Sequence, residues 1–532
     1  MASSYPGSFD SFPTITADKL MSDTVGGRAH RALHNDMGDV IEAMQAELGL
    51  NPSGQAATVV ARLDNQTVVN VKDYGAAGND STDDTTAIQN ALSAGAGKTV
   101  YVPPGTYKIT DYLTVSANTV VTGPGTIHQT GTGKAGLTLN GSGITVEGIT
   151  LKGRHATAGT YAAGEYAIYV QGGSTAARFT DTTIRNVHMH LWGTYGVYAR
   201  WVTRFRILDC WINDIGYTGI GVLSGEEGAI RGNRIDNITP GVAGDMYGVA
   251  LTSGGGSAAV DPRSARITVA QNVISRVNWE ACDTHGGLDL TFTGNVLYDN
   301  YDNFALVGGP NNTVPTNITI TGNTVFNTAD TAPPIRNAGV RVTGDNAGVG
   351  TYCRGIVITG NTFRGVQYGV VPQATIGLVI SGNAFHRCSP SGIGLEGWNK
   401  RFAITGNTFV DMWSDSANTA CVEESYGYDS GLIAHNVLVR GDKSATYVND
   451  FGVRVLGTQP SVAIQIGAND FTDAANAAPI YSDNMTDYKT GGWWDQDPIA
   501  KPTVTGSRGS NAALASLCTA LANLGLITNS TS

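Results

Sequence analysis

Charge is what this chain has least of. Only 14% of its 532 residues are charged, and acids outnumber bases 44 to 33, for a formal net charge of −11. That balance argues against a nucleic-acid-binding surface, where phosphate needs a broad basic footprint. A local basic patch for an anionic polysaccharide is compatible with it. Cysteine is scarce: six residues, at 210, 282, 353, 388, 421 and 518, with no Cys-x-x-Cys and no tight pairing, so there is no cysteine framework to read. No apolar run approaches a membrane span. The opening Met1–Pro6 lacks the charged-then-apolar pattern of a secretory leader. The expectation is synthesis in a cytoplasm, no signal peptide and no membrane insertion.

What the chain has instead is glycine, 69 residues of it, much of it in a recurring phrase. Apolar, any, apolar, small, Gly, Asn, any, apolar is spelled by Ile318–Val325, Ile356–Phe363, Leu378–Phe385 and Phe402–Phe409. Weaker copies centre on Asn186, Asp209, Asn233, Asn272, Asn295, Asn436 and Asn469, and the closest copies lie 22 to 24 residues apart. A repeat of that length with no room for a helix predicts a β-solenoid, which grows by adding coils and escapes the size limit of a single core. The apolar residue two places after each Gly–Asn (Ile235, Ile274, Leu297, Val325, Phe363, Phe385, Phe409, Leu438, Phe471) is predicted to stack inside. The Asn side chains are predicted to stack too, bonding turn backbone and each other. A second strand follows in each coil, aligned as Gly248–Val–Ala, Ala281–Cys–Asp, Phe304–Ala–Leu, Gly339–Val–Arg and Ala420–Cys–Val, with the middle residue inward. That puts Cys282 and Cys421 in an apolar column, as core thiols.

Four parts are predicted. Residues 1–65 form an attachment and oligomerisation region. In it a helix over 28–48 carries Leu33, Met37, Val40, Met44 and Leu48 as an apolar stripe, read as buried against copies of itself ahead of the plainer alternative of packing on the body, and a second short helix covers 56–63. Residues 66–110 open the solenoid, with a helix over 85–94 that is capped by the acid-rich stretch 79–84. The helix covers the apolar, unpaired end of the stack. The body runs over 111–487 in about a dozen coils. Residues 488–532 form a small C-terminal element with a strand or loop and an apolar helix (Leu514, Leu517, Leu521, Leu524).

Val71–Gly78, Thr82–Asp84 and Val102–Tyr107 resemble the opening motif of the pectate-lyase superfamily of right-handed parallel β-helices. The Gly–Asn coils are similar to the same family, and together they cover about residues 70–485. The resemblance implies an all-β, right-handed parallel β-helix. It says little about the reaction, because the family includes lyases, hydrolases, epimerases and non-catalytic members. The first 65 residues and the segment 501–527 are similar to the end segments of phage tail and fibre proteins. Two such ends around a β-helix resemble a phage tailspike. That implies a homotrimer in the virion tail, joined to tail or baseplate proteins through its N-terminal region. It also implies a bacterial surface polysaccharide as target (capsule, exopolysaccharide or cell-wall glycan).

Solenoid enzymes work on the outer face of one sheet, where coils about 4.8 Å apart bring side chains from distant sequence together. Most second strands present Gly, Ala, Val or Thr there. The stretch Asn278–Gly287 instead presents Glu280, Asp283 and His285. In the aligned register Tyr247 and Asn303 flank Glu280, Asp245 and Asp302 begin the neighbouring strands, and Arg341 shares the column of Asp283 two coils on. Trp279 offers a face to a sugar ring. Glycoside hydrolysis requires paired carboxyls, one protonated for the leaving oxygen and one as base or nucleophile. The predicted catalytic set is therefore Glu280, Asp283, His285, Asp302 and Asp245, with Trp279, Tyr247, Asn303 and Arg341 binding substrate.

Three alternatives stay open. A lyase would use His285 as base and Arg341 to neutralise a uronate. A receptor-binding fibre would only adhere, and a bacterial β-helix enzyme would act in surface-polysaccharide metabolism. The plainer reading of the strand is Asp and His bonding turn backbone. Glu423–Glu424 ranks second as an acid site, and Glu226–Glu227 reads as a solvated loop. Asp80, Asp83 and Asp84 read as helix caps, with calcium left open. Trp493–Asp495 and the Tyr-rich runs read as packing ahead of glycan platforms. His188 and His190 lack a third ligand in sequence, so no zinc and no cofactor is expected.

Overall fold

The computed structural model describes residues 68–471 and 473, apart from 157–160, 240–245, 254–260, 310–312, 330–337, 345–350, 413–418, 426–429, 442–450 and 457–463. It also describes short pieces at 24–25, 28–29, 37–42, 44, 480–482, 489–490, 503–506, 514, 517–519 and 528–531. The chain divides into two units, Met1–Val69 and Asn70–Ser532. In the first, residues 37–42 are helical, and Met37, Val40, Ile41 and Met44 are exposed. The helix expected from residue 28 is contradicted at its start: Arg28–Ala29 pairs antiparallel with Thr24–Val25. The Gly–Gly pair between them is a hairpin signal that the helical stripe masked. Leu33, Leu48 and the helix expected over 56–63 lie outside the described residues.

In the second unit each coil adds one strand to each of three parallel stacks. One coil shows the pattern: Val273–Val277 in sheet I, Glu280–His285 in sheet II and Leu288–Thr293 in sheet III. Each pairs in parallel with its counterpart one coil on. Among the described residues sheets I and II each hold 14 strands. The helix Thr85–Ala94 forms as expected and buries Ile88, Ala91 and Leu92. Its cap is only partly as expected. Asp83 accepts from Thr85 N at 3.1 Å, but the carboxylate of Asp84 accepts from Ala77 N at 2.7 Å and Gly78 N at 3.0 Å, tying down the preceding loop. Asp80 meets His128 at 2.6 Å.

The Gly–Asn phrase has two physical parts. Gly232, Gly294, Gly322, Gly360, Gly382 and Gly406 all have φ between 63° and 70°, the left-handed region that glycine enters without Cβ strain. The Asn that follows is buried and links coils. Asn361 Oδ1 accepts from Asn323 N and Nδ2 at 2.9 Å each, while Asn361 Nδ2 donates to Ile320 O at 2.9 Å and Asn383 Oδ1 at 3.0 Å. The pattern runs from Asn233 to Asn469. A carboxamide supplies both donors and acceptors, so the ladder satisfies itself in a dry turn. Asn186 and Asp209 depart from the expected alignment. They take the left-handed position, φ 51° and 52°, and buried Val187 and Cys210 take the ladder position.

The expected interior column is buried along its length. Phe363, Phe385 and Phe409 stack at 5.3 and 4.9 Å. Opposite them sit Gly339, Gly369 and Gly392, where a Cβ would come within 2.4, 2.2 and 2.4 Å of those rings. Glycine is needed there for close approach rather than for φ.

Sheet II departs from the expected register in two coils. Val249, Cys282, Phe304, Val340, Val370, Ile393 and Val422 form the inward column. Phe304 and Val422 are therefore inward, not Ala305 and Cys421, although Cys421 is buried as expected. In both coils adjacent residues are apolar, so alternation carries no signal, and a slip of one residue exchanges the faces.

Glu226–Glu227 is also not a loop. It starts the strand Glu226–Arg231, with Glu226 paired to Arg178 at 3.1 Å and Arg266 at 2.7 Å. Near the C-terminus Thr503–Gly506 pairs with Thr528–Thr531, and Leu514 and Leu517 are exposed. Leu521, Leu524 and Trp493–Asp495 lie outside the described residues. No helix among the described residues is long and apolar enough to cross a membrane.

Candidate active site

The strand Glu280–His285 lies between Tyr247–Thr252 and Asp302–Val307 in sheet II. Glu280 is paired with Tyr247 on one side, as the alignment had it, and with Asp302 on the other. Asn303, expected beside Glu280, is instead turned into the coil corner. Its Oδ1 accepts from Asn300 Nδ2 at 3.2 Å and its Nδ2 donates to Ala338 O at 3.2 Å. The slip that made Phe304 inward is the cause. It takes Asn303 away from the outer face and brings Asp302 against Glu280. Asp283 is paired with Ala305, and Ala305 with Arg341, so Arg341 stands in its column two coils on. Asp245 lies outside the described residues.

Three acids form the floor of this site. Glu280, Asp283 and Asp302 are 7%, 2% and 5% exposed, whereas the side chains of His285 and Arg341 stand out at 36% and 31%. Arg341 Nε donates to Asp302 Oδ2 at 3.2 Å and Ala338 N to Asp302 Oδ1 at 2.7 Å, so both oxygens of Asp302 are engaged. His285 Nε2 lies 3.3 Å from Asp283 Oδ1. The surroundings of Glu280 disfavour its charge. Burial removes its carboxylate from water, and Asp283 and Asp302 place negative charge beside it. A hydrogen bond shared with Asp283 adds to this while Arg341 opposes it, and the carboxyl is pushed up to about 9. Glu280 thus keeps its proton at neutral pH. Its contact with Asp283 is a hydrogen bond while the proton is present and a repulsion once it leaves.

The outer members are less uniform. Trp279 stacks on Tyr301 at 5.1 Å and 11°, so one of its faces is already taken. Tyr301 in turn lines a separate groove of about 470 Å³ at the corner of sheets I and II, with Asn237, Arg276, Asp299 and Asn327. Glu396 was missed by the sequence reading. Burial raises its carboxyl and the nearby charge of Arg341, itself bonded to Asp302, opposes that rise. Like His285, it stands three residues after the inward residue of its strand (Ile393, against Cys282), so the alignment carried to that position would have reached it. The second-ranked acid pair is split: Glu423 pairs with Arg454 at 3.4 Å, and Glu424 is buried. Glu280, Asp283 and His285 offer ligand atoms all within 4.8 Å of one another, and among the described residues they are the set that could hold a cation. A cation would require Glu280 ionised, the state its surroundings disfavour.

Residues 68–153 match the family described as rhamnogalacturonase A/epimerase, pectate lyase-like, and residues 166–353 and 259–411 match the right-handed β-helix region. These matches and the three parallel stacks make the body a right-handed parallel β-helix with a pectate-lyase-like opening. The mannuronan C5-epimerase AlgE3 of Azotobacter vinelandii is 30% identical over 149 residues, covering 24% of this chain. The chain spans only 8% of that relative's length. Among solved structures, the pre-mature gene product 12 of bacteriophage phi29 is similar with TM-score 0.48 and 14% identity, over 82% of this chain and 67% of that one. The tailspike protein of E. coli bacteriophage HK620 is similar with TM-score 0.47 and 11% identity, over 83% and 72%.

Proposed function

We propose that the chain is a phage tailspike that binds a bacterial surface polysaccharide and cleaves it by glycoside hydrolysis on the outer face of sheet II. The observation that carries this is Glu280, a carboxyl held protonated at neutral pH beside a second carboxyl. Hydrolysis begins by protonating the leaving glycosidic oxygen, and Glu280 has the proton to give. Asp283 is the partner, as nucleophile at the anomeric carbon. Ligand atoms of the two carboxyls lie within 4.8 Å of one another, on the close side of the range for paired catalytic acids, which favours the covalent double-displacement route over one that seats a water between them. Glu280, once deprotonated, then takes a proton from the water that releases the sugar. His285 orients Asp283, and Asp302 holds Arg341 towards an anionic group of the glycan.

The virion half of the proposal rests on the two terminal segments that resemble phage tail proteins. The exposed Met37, Val40 and Met44 add to it, an apolar stripe suited to a homotrimer that docks on tail or baseplate proteins. The proposed parts are 1–65 for attachment, 66–110 for the capped start, 111–487 for the body and 488–532 for the C-terminal element.

The test is to incubate the protein with surface polysaccharide from candidate hosts and assay new reducing ends and the ultraviolet absorbance of an unsaturated uronate. New ends without absorbance, lost in Glu280→Gln and Asp283→Asn while binding persists, are expected. Cleavage surviving in both variants would place the site elsewhere. Binding without any cleavage would leave an adhesive fibre.

A second reading draws on the contact between His285 and Asp283 at the rim and on the relative whose name describes C5 epimerisation of mannuronan. In this lyase reading His285 removes the C5 proton, Arg341 neutralises the uronate, and the C4–O glycosidic bond breaks to leave a C4–C5 double bond and a new chain end. Absorbance gain, abolished by His285→Ala, is its signature.

A further inference from the structure

On the N-terminal side of Glu280 the outer face of sheet II is built of phenols. One column reads Tyr166, Tyr195, Thr218, Tyr247, Glu280 along successive coils, and the neighbouring column reads Tyr169, Tyr198, Gly221, Ala250, Asp283. The rings touch in a file. Tyr169 and Tyr198 stack at 5.2 Å and 8°, and Tyr195 meets Tyr198 edge-on at 5.2 Å. Tyr195 then meets Tyr217 at 5.5 Å, and Tyr217 meets Tyr247 at 6.1 Å. Tyr195 leans over Gly221, where a Cβ would come 2.6 Å from its ring. All six rings are half-buried. They stand outside the coil, whose interior is filled by Ile168, Val197, Ile220 and Val249.

We propose that this file is a run of sugar-binding subsites that holds the unreacted length of the polysaccharide leading to the cleavage point. The inference rests on the glycan-cleaving reading above and extends it. From the strand of Tyr166 to that of Glu280 there are four strand spacings, roughly 19 Å, enough for several pyranose rings end to end. A phenol offers an apolar face to the C–H face of a sugar and a hydroxyl to its hydroxyls. A contact with a second copy of the chain would bury those hydroxyls against protein, which is unfavourable unless each finds a partner; a hydroxyl-rich polymer supplies partners. Burial keeps Tyr166, Tyr169, Tyr195 and Tyr198 protonated, so the file is neutral. Arg200 flanks the file, two residues after Tyr198 on the same strand, and is held by Asp261 through two bonds at 3.2 and 2.6 Å. Binding far from the reacting bond is a means of holding that bond in place.

The test uses the full chain carrying Tyr169→Ala with Tyr198→Ala, and separately Tyr195→Phe with Tyr198→Phe, which keeps the rings if the first pair folds poorly. Tyr74→Ala, at an exposed tyrosine of the short helical turn Val71–Tyr74 and outside sheet II, is the control. KM is measured on the long polymer and on its shortest cleavable fragments, and polymer binding is measured in a Glu280→Gln background. The ratio of polymer KM to fragment KM is expected to rise at least tenfold in the alanine pair and two- to threefold in the phenylalanine pair, with weaker polymer binding to match. An unchanged ratio in a variant that still cleaves would overturn the subsites alone. A variant that falls to a smaller mass in light scattering would make the file a subunit contact and also overturn them. Wild type that neither binds nor cleaves any host glycan would remove the underlying function and this inference with it.

Discussion

Replacing Glu280 by Gln should stabilise the protein at neutral and alkaline pH while abolishing its cleavage. The carboxyl has an ordinary value of 4.5 and is pushed to about 9 in the fold. Between those values the unfolded chain has lost the proton and the folded chain keeps it. The folded state therefore binds more protons, and stability falls as pH rises through that window. The penalty is near zero at pH 4 and reaches about 3 kcal/mol at pH 7, at about 1.4 kcal/mol per unit. Gln has the same shape, donates to Asp283 as the protonated acid does, and cannot ionise. For a chain of this length the unfolding entropy is roughly 1 kcal/mol per degree, so the gain corresponds to about 3 °C at pH 7. The assay is thermal melting of wild type and Glu280→Gln at pH 5 and pH 8, at one scan rate because solenoids of this size commonly unfold irreversibly. The advantage of the variant should grow from under about 1 °C at pH 5 to roughly 4 °C at pH 8. A pH-independent difference, or a variant less stable at pH 8, would mean that Glu280 is ionised in the fold, and the acid-catalyst reading would fall with it.

Cleavage by the wild type should decline as pH rises through about 9, where Glu280 gives up its proton, and the alkaline limb of the pH–rate profile reports this. Arg341 opposes the rise of Glu280, so Arg341→Met should move that limb to higher pH while lowering activity on anionic glycans. Gly369→Ala would push a Cβ to 2.2 Å from Phe385. That overpacking should cost about 1–3 kcal/mol, read as a lower melting temperature with activity per folded molecule unchanged. Asn361→Ala removes the acceptor of Asn323 N and Nδ2 and the donor to Asn383 Oδ1. Each stranded group costs about 1–3 kcal/mol, so this change should lower the melting temperature more than Gly369→Ala does.

The coil architecture was legible because its physical demands repeat. A left-handed turn needs Gly, the dry turn beside it needs a carboxamide, and the interior needs an apolar residue two places on, so each coil writes the same phrase. Where the demand could be met another way the phrase blurred, as at Asn186 and Asp209, which take the left-handed position themselves. The site was legible only in part. Glu280, Asp283 and His285 stood out because charge is rare on that face. Their neighbours did not, because the placement of Asp302 and Asn303 depended on which of Phe304 and Ala305 points inward, and both are apolar. Volume could have decided it: the inward position opposite Phe292 is filled by Phe304, with ring centres 5.6 Å apart, and alanine would leave a void there. Glu396 was hidden for a different reason, since it lies past the end of its strand where alignment by apolar triplets stops.

A stack of near-identical coils also explains how one of them can carry a buried, protonated acid. Stability in such a stack is close to a sum of each coil and its contacts with the next, so the penalty at Glu280 stays with that strand and its two neighbours. The Asn ladder passes the site on the far side of the coil without a break, from Asn272 to Asn295 to Asn323. Tyr247 on one side and the Asp302–Arg341 pair on the other keep the strand in register. A globular core of the same size would spread such strain through shared packing. Here the coils on either side bury Glu280 and hold two further carboxyls against it that would otherwise move apart, and that burial, with the enforced closeness added to it, keeps the proton on Glu280.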